Sequence, residues 1–204
     1  MTSYQTLAEP SEGFFKDRGS RFLAFAYSVD SLEQVKDRLE DLRKTYHDAR
    51  HHCYAYVLGM GTQEYRANDD GEPSHTAGDP ILGQIKSNGL TNTLVVVVRY
   101  FGGTKLGVSG LINAYKIAAS DALKAAKRLE IFPQVIFKLV YTYEQTNEVE
   151  RLLASHPITL RQRTYAMDCE VTASIHEELF PQLLSLTAPP SELQLQVLSA
   201  PEDS

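Results

Sequence analysis

The sequence predicts an α+β chain built from two small units, and three observations carry that prediction. Strand-like and amphipathic helical segments alternate through residue 130, the same alternation restarts after Pro133, and the acidity is confined to the later part. Residues 1–132 hold 16 Lys+Arg against 16 Asp+Glu, whereas residues 133–204 hold 4 against 10 and so carry the whole net charge of −6. With 204 residues, 43% hydrophobic and 23% charged, the composition is that of an ordinary folded protein. The expected domains are 1–132 and 133–204.

Arg21 to Val29 (RFLAFAYSV) reads as a strand, after which Asp30 or Ser31 offers an N-cap. Leu32, Val35, Leu39, Leu42 and Tyr46 then recur at helical spacing. His52 to Leu58 is a second strand, closed by Gly59, Met60 and Gly61, and Thr62 to Ala67 a third. Ala77 to Asn88 is helical with Gly89 as its stop. Thr93 to Tyr100 (TLVVVVRY) is β-branched and almost uninterrupted, the pattern of a strand covered on both faces. FGGTKLGVSG leads into LINAYKIAASDALKAAKRLE, a helix of high propensity.

Ile131, Phe132 and Pro133 form a junction. Beyond it come a strand (QVIFKLVYTY), a helix (EQTNEVERLLASH), two paired strands within Ile158 to Ala173, a helix (HEELFPQLLSLT) that Pro181 is placed to break, and a last strand (LQLQVL). That order, β-α-β-β-α-β, is the ferredoxin-like split βαβ arrangement.

The remaining composition narrows function. No apolar run approaches the length of a bilayer span, and MTSYQTLAEPSEGFF lacks the pattern of a secretory leader, so a cytoplasmic protein is expected. Cys53 and Cys169 are far apart and outside any C-x-x-C pair, which predicts two reduced, buried thiols. His52 and Cys53 are adjacent in a strand and so point to opposite faces. His156 and His176 are expected at the surface or at caps. No cofactor and no metal are expected.

Two motifs are able to carry chemistry. Asn68 to Pro80 (NDDGEPSHTAGDP) is dense in turn formers and carboxylates. It reads either as an Asp-Gly turn with Ser74 or Thr76 capping the next helix, or as Asp69, Asp70 and Glu72 holding a hard cation. An EF-hand loop is excluded, because Arg66 would fall at the first ligand position. Arg99 to Gly110 (RYFGGTKLGVSG) runs from a buried strand through glycines into a helix, which is the recipe for an anion site, with Lys105 and Arg99 adding charge. Tight turning and close helix packing account for the same glycines, and Val108 stands where a Walker lysine would be needed. The acidic and glycine-rich loops are expected side by side, with Lys105 or Arg99 opposite Asp70 or Glu72.

The segments HHCYAYVLG, NDDGEPSHTAGDPIL and TNTLVVVVRYFGGTKLGVSGLINAY, in this order and spacing, closely resemble the N-terminal signature of the YigZ/IMPACT family. By position, the resemblance marks Asp69, Asp70, Gly71, Glu72, Pro73, Ser74, Thr76, Ala77 and Gly78 in the first loop. In the second it marks Arg99, Tyr100, Phe101, Gly102, Gly103, Lys105, Leu106, Gly107 and Gly110. His75 stands where the family generally has glycine, and Asn113 where an arginine is frequent. The resemblance implies a first domain like the second domain of small-subunit ribosomal protein five, and a second like the last domain of elongation factor G. It further implies a non-catalytic, translation-linked role with RNA, the ribosome or a translation factor as partner, since the eukaryotic relatives regulate translation initiation under stress. A clustering of Arg99, Lys105, Arg66 and Lys116 would favour that role. The alternatives are a small-molecule hydrolase or other enzyme, which needs a titratable pair in hydrogen-bond reach, for instance Glu72 or Asp70 beside His52 or Lys105, and a pure protein-interaction module.

Overall fold

Ahead of Arg21 lie two strands with weak sequence signals, β1 (Tyr4–Leu7) and β2 (Ser11–Asp17). β2 joins β3 (Ser20–Ser28) through Arg18 and Gly19, both at positive φ, 44° and 81°. Two positive central residues make the tight hairpin turn whose twist suits paired strands, and Arg-Gly supplies it without the usual Asn-Gly or Asp-Gly mark. The computed structural model that shows this describes residues 3–59, 64–166, 168–187 and 193–199. Its chain divides between residues 130 and 131 into two compact units.

In the first unit, Ser31 caps α1 (Leu32–Thr45) by accepting from the Gln34 N–H. β4 (His51–Leu58), β5 (Glu64–Asn68), α2 (Gly78–Ser87), β6 (Thr93–Tyr100), α3 (Gly107–Ala125) and β7 (Arg128–Ile131) follow. Met60, Gly61, Thr62 and Gln63, expected in a turn and a strand, lie outside the described residues. Five strands form an antiparallel sheet in the order β2-β3-β6-β4-β5. The uninterrupted apolar run of β6 is explained by its central place. Val95 and Val97 enter a core with Ile81, Ile85, Ala118 and Ala122 of α2 and α3, whereas Leu94, Val96 and Val98 enter another with Val35, Leu39 and Leu42 of α1.

Two helix boundaries differ from expectation. α3 starts at Gly107, so GVSG is its first turn rather than loop. It ends at Ala125, and Arg128–Ile131 leaves as a strand paired with β1, a non-local contact that overrides the helical propensity of KRLE. The N-terminus of α2 is a third correction. Neither Ser74 nor Thr76 caps it; Thr76 Oγ1 donates to the Pro73 carbonyl at 2.6 Å. Asp69 does the work from outside the helix: its Oδ1 accepts from the N–H of Ala77 and Gly78 (3.0 and 2.8 Å) and its Oδ2 from that of His75 (2.8 Å).

The second unit comprises β8 (Gln134–Tyr141), α4 (Thr146–Ser155), β9 (Ile158–Tyr165), β10 (Cys169–His176), α5 (Phe180–Leu186) and β11 (Gln194–Ser199). Its antiparallel sheet runs β11-β8-β10-β9. Pro181 stands in the first turn of α5 and starts that helix instead of breaking it, because its missing N–H is not needed there. His156 sits at the end of α4, as a capping residue would. His176 departs from the surface position expected of it: it is buried, its ring edge-on to Phe132, and among the described residues neither ring nitrogen finds a partner.

Two tests follow from this packing. A Cβ on Gly13 would overlap the α3 backbone at Ala118 and Ala122, so Gly13→Ala should destabilise the first unit by about 1–3 kcal/mol in urea unfolding. For Asp69, burial pushes the carboxyl up, but the three backbone donors outweigh it and hold it below the ordinary 3.8. A depressed folded pKa gives stability that is complete above the unfolded value and is lost as pH falls through the folded one. Asp69→Ala should therefore lose about 1–2 kcal/mol at pH 7, with the gap to wild type closing as the pH drops below 3.8.

Candidate functional site between the acidic and glycine loops

The acidic loop turns its carboxylates inward. Asp70 and Gly71 take positive φ, 42° and 85°, and close a turn in which the Glu72 N–H donates to the Asp69 carbonyl. Asp70 Oδ2 accepts from the His52 backbone N–H at 2.6 Å, and its Oδ1 lies 3.5 Å from Arg43. The Asp70 carbonyl lies 2.8 Å from His51 Nδ1. A carbonyl only accepts, so Nδ1 carries a proton, and in the neutral ring Nε2 is the acceptor nitrogen. Among the described residues no cluster of three or more His, Cys, Asp or Glu side chains is placed to hold a metal. Among the described residues neither Glu72 nor Asp70 pairs with the His52 ring or with Lys105; Asp70 holds the His52 backbone N–H and Glu72 holds Arg99.

Glu72 reaches deepest. Its side chain is 4% exposed and its Oε1 accepts from Arg99 Nη1 at 2.5 Å and from the Tyr115 hydroxyl at 2.8 Å. Cys53 Sγ lies 3.3 Å from the same hydroxyl and 3.0 Å from the Asp69 carbonyl. Burial, with the neighbouring Cys53 and Glu72, pushes the Tyr115 hydroxyl well up, and burial likewise pushes up the Cys53 thiol. Both stay protonated, so Tyr115 donates to the carboxylate and Cys53 is no nucleophile. Arg99 is 7% exposed along its side chain and lies between the Phe22 and Phe101 rings, 5.5 and 5.7 Å from their centroids.

The glycine loop divides into three roles. Gly102 lies against the β2–β3 turn, where any Cβ would overlap the backbone of Gly19 and Ser20. Gly103 and Gly107 are needed for positive φ, 89° and 74°. Gly110 belongs to the first turn of α3, against Leu106.

The two loops meet in one cleft of about 460 Å³, lined by Arg50, His51, Glu72, Pro73, Arg99, Phe101, Lys105, Leu106, Gly107, Val108 and Leu111. The structure thus brings Glu72, Arg99, Phe101, Lys105 and Gly107 together. Asp69, Asp70, Gly71, Ser74, Thr76, Gly102, Gly103 and Gly110 do not line the cleft and shape or flank the loops around it. Tyr100 does not join them either: it points to the opposite face of the sheet and donates to Asp48 at 2.6 Å. Arg66 and Lys116 do not line the cleft, and Lys116 lies in another groove with Gln84, Asp121 and Lys124. Arg50 and Tyr115 escaped sequence reasoning as site residues, and His51, weighed with His52 and Cys53 for a Cys–His or metal role, was not placed at this site. The pairing of His51 opposite Arg99 across β4 and β6 places Arg50 and His51, and no local pattern announces it. Tyr115 was visible only as the last residue of the quoted LINAY segment.

Residues 18–123, more than half of the chain, match the family model described as Impact N-terminal domain. The IMPACT family member YvyE of Bacillus subtilis (strain 168) is 32% identical over 181 residues, covering 87% of this chain and 82% of that protein. The IMPACT family member YigZ of Escherichia coli (strain K12) is 36% identical over 155 residues, covering 75% and 76%. A solved structure described as the crystal structure of an hypothetical protein superposes with a TM-score of 0.68 over 98% of both chains, at 29% identity. The signature loops, their shared cleft and these matches agree, and the chain belongs to the IMPACT family.

Proposed function

We propose that this chain is a cytoplasmic, translation-linked regulatory protein that binds RNA, the ribosome or a translation factor through the cleft face of its first unit. One observation supports this above the others: within a charge-neutral unit, the cleft gathers Arg50, Arg99 and Lys105 against a single carboxylate, Glu72, which is already engaged. α3 adds to the positive field, because its N-terminus has no side-chain cap and no acidic residue in its first turn. The family resemblance supplies the translation link. The test is sedimentation of a tagged copy on ribosome profiles at low and high salt. Wild type is expected to co-migrate at low salt, with loss at high salt and in Lys105→Glu. A wild-type protein found only in the unbound fraction overturns the proposal.

The two units are further proposed to be separately cored domains, 1–132 and 133–204. Supporting this, two buried clusters draw on β3, β4, β6 and the first three helices, and a third on β8, β10, α4 and α5. The β-α-β-β-α-β order and the sheet order of the second unit favour a ferredoxin-like assignment. For the first unit, kinship with the second domain of ribosomal protein five rests on the resemblance. Expressed alone, residues 1–132 should melt cooperatively in calorimetry; a fragment with no transition refutes autonomy.

A further inference from the structure

We infer that the cleft is a nucleotide pocket, holding a phosphate between the α3 N-terminus, Lys105 and Arg99 and stacking the base on Phe101. This rests on the proposal that the cleft is the binding face, and it names the ligand chemistry: a phosphorylated nucleoside, supplied either by an RNA strand or as a free nucleotide.

Four features converge on that chemistry. Arg99 is more than nine-tenths buried yet lines the cleft; among the described residues its Nη1 donates to Glu72, and its Nε, itself shielded from solvent, has no acceptor. Where it lines the cleft, this planar guanidinium suits an oxyanion acceptor such as a phosphate oxygen. Next to it, the first turn of the 19-residue α3, without a side-chain cap, lines the same cleft through Gly107 and Val108, and Lys105 makes no ion pair among the described residues. Phe101 is 55% exposed although hydrophobic, and Arg99 fixes one side of its ring. An exposed aromatic beside a cationic groove is the platform on which nucleobases stack. Finally, His51 lines the cleft with Nδ1 engaged by the Asp70 carbonyl, and the neutral ring offers Nε2 as an acceptor for a ribose hydroxyl or a base amino group. The volume, about 460 Å³, lies in the range of small-ligand sites. Asp69 and Asp70 do not line the cleft, and Asp70 is paired with Arg43.

The test is titration calorimetry on the full chain at low salt with the ribonucleoside 5′-monophosphates, their nucleosides, inorganic phosphate and short RNA oligomers. At least one monophosphate is expected to bind about tenfold or more tightly than both its nucleoside and inorganic phosphate. Phe101→Ala should weaken the monophosphate by about tenfold and leave inorganic phosphate unchanged, while Lys105→Glu should weaken both. Each side chain is exposed, and a thermal melt of each variant confirms folding. If no monophosphate binds better than inorganic phosphate, or Phe101→Ala binds as wild type does, the inference fails. Ribosome co-migration surviving that failure leaves the broader proposal standing with a protein partner. Tighter binding of oligomers than of monophosphates assigns the nucleotide to RNA. Equal binding without ribosome co-migration assigns it to a free nucleotide and overturns the translation-linked proposal instead.

Discussion

The architecture of the site depends on the ion pair between Arg99 and Glu72. Burying two charges demands close geometry and further hydrogen bonds, and removing one partner of such a pair costs about 3–5 kcal/mol. Here the Tyr115 hydroxyl provides a second donor to the carboxylate, and two aromatic rings flank the guanidinium. The pair joins the end of β6 to the turn after β5, while Tyr115 ties that turn to α3. Three segments distant in sequence are thereby held at one point, and the cleft is the space left above it.

This arrangement separates two tasks within the acidic loop. Asp69 satisfies the N-terminus of α2 and Asp70 the backbone at His52, which is local architecture. Glu72 alone among the three reaches the cleft wall, and it arrives already neutralised. Beside it, Arg50 and Lys105 set the character of that wall.

Much of the fold was legible because local chemistry and tertiary structure agreed. The β-branched run of β6, the spacing of Leu32 to Leu42 and the Ser31 cap each needed no distant partner to be read. What stayed hidden depended on partners far along the chain. β2 alternates weakly and turns on Arg-Gly, Arg128–Ile131 has helical composition but pairs with β1, and the cap of α2 is a carboxylate outside the helix. At the site, the meeting of the two loops followed from both leaving strand ends, but the face to which each residue points depends on register. That is why Tyr100, one residue from Arg99, lies on the other side of the sheet, and why Arg50 and His51 came to light only with the β4–β6 pairing.

The burial of the cysteines has a practical side. The sequence holds two, Cys53 in the core beneath the cleft and Cys169 in the core of the second unit, both free thiols with less than 2% exposure. A thiol so enclosed meets an alkylating reagent only when the structure around it opens. Each unit thus carries its own built-in reporter of local opening, and the labelling rates of the two positions follow the breathing of the two cores separately, without any introduced probe.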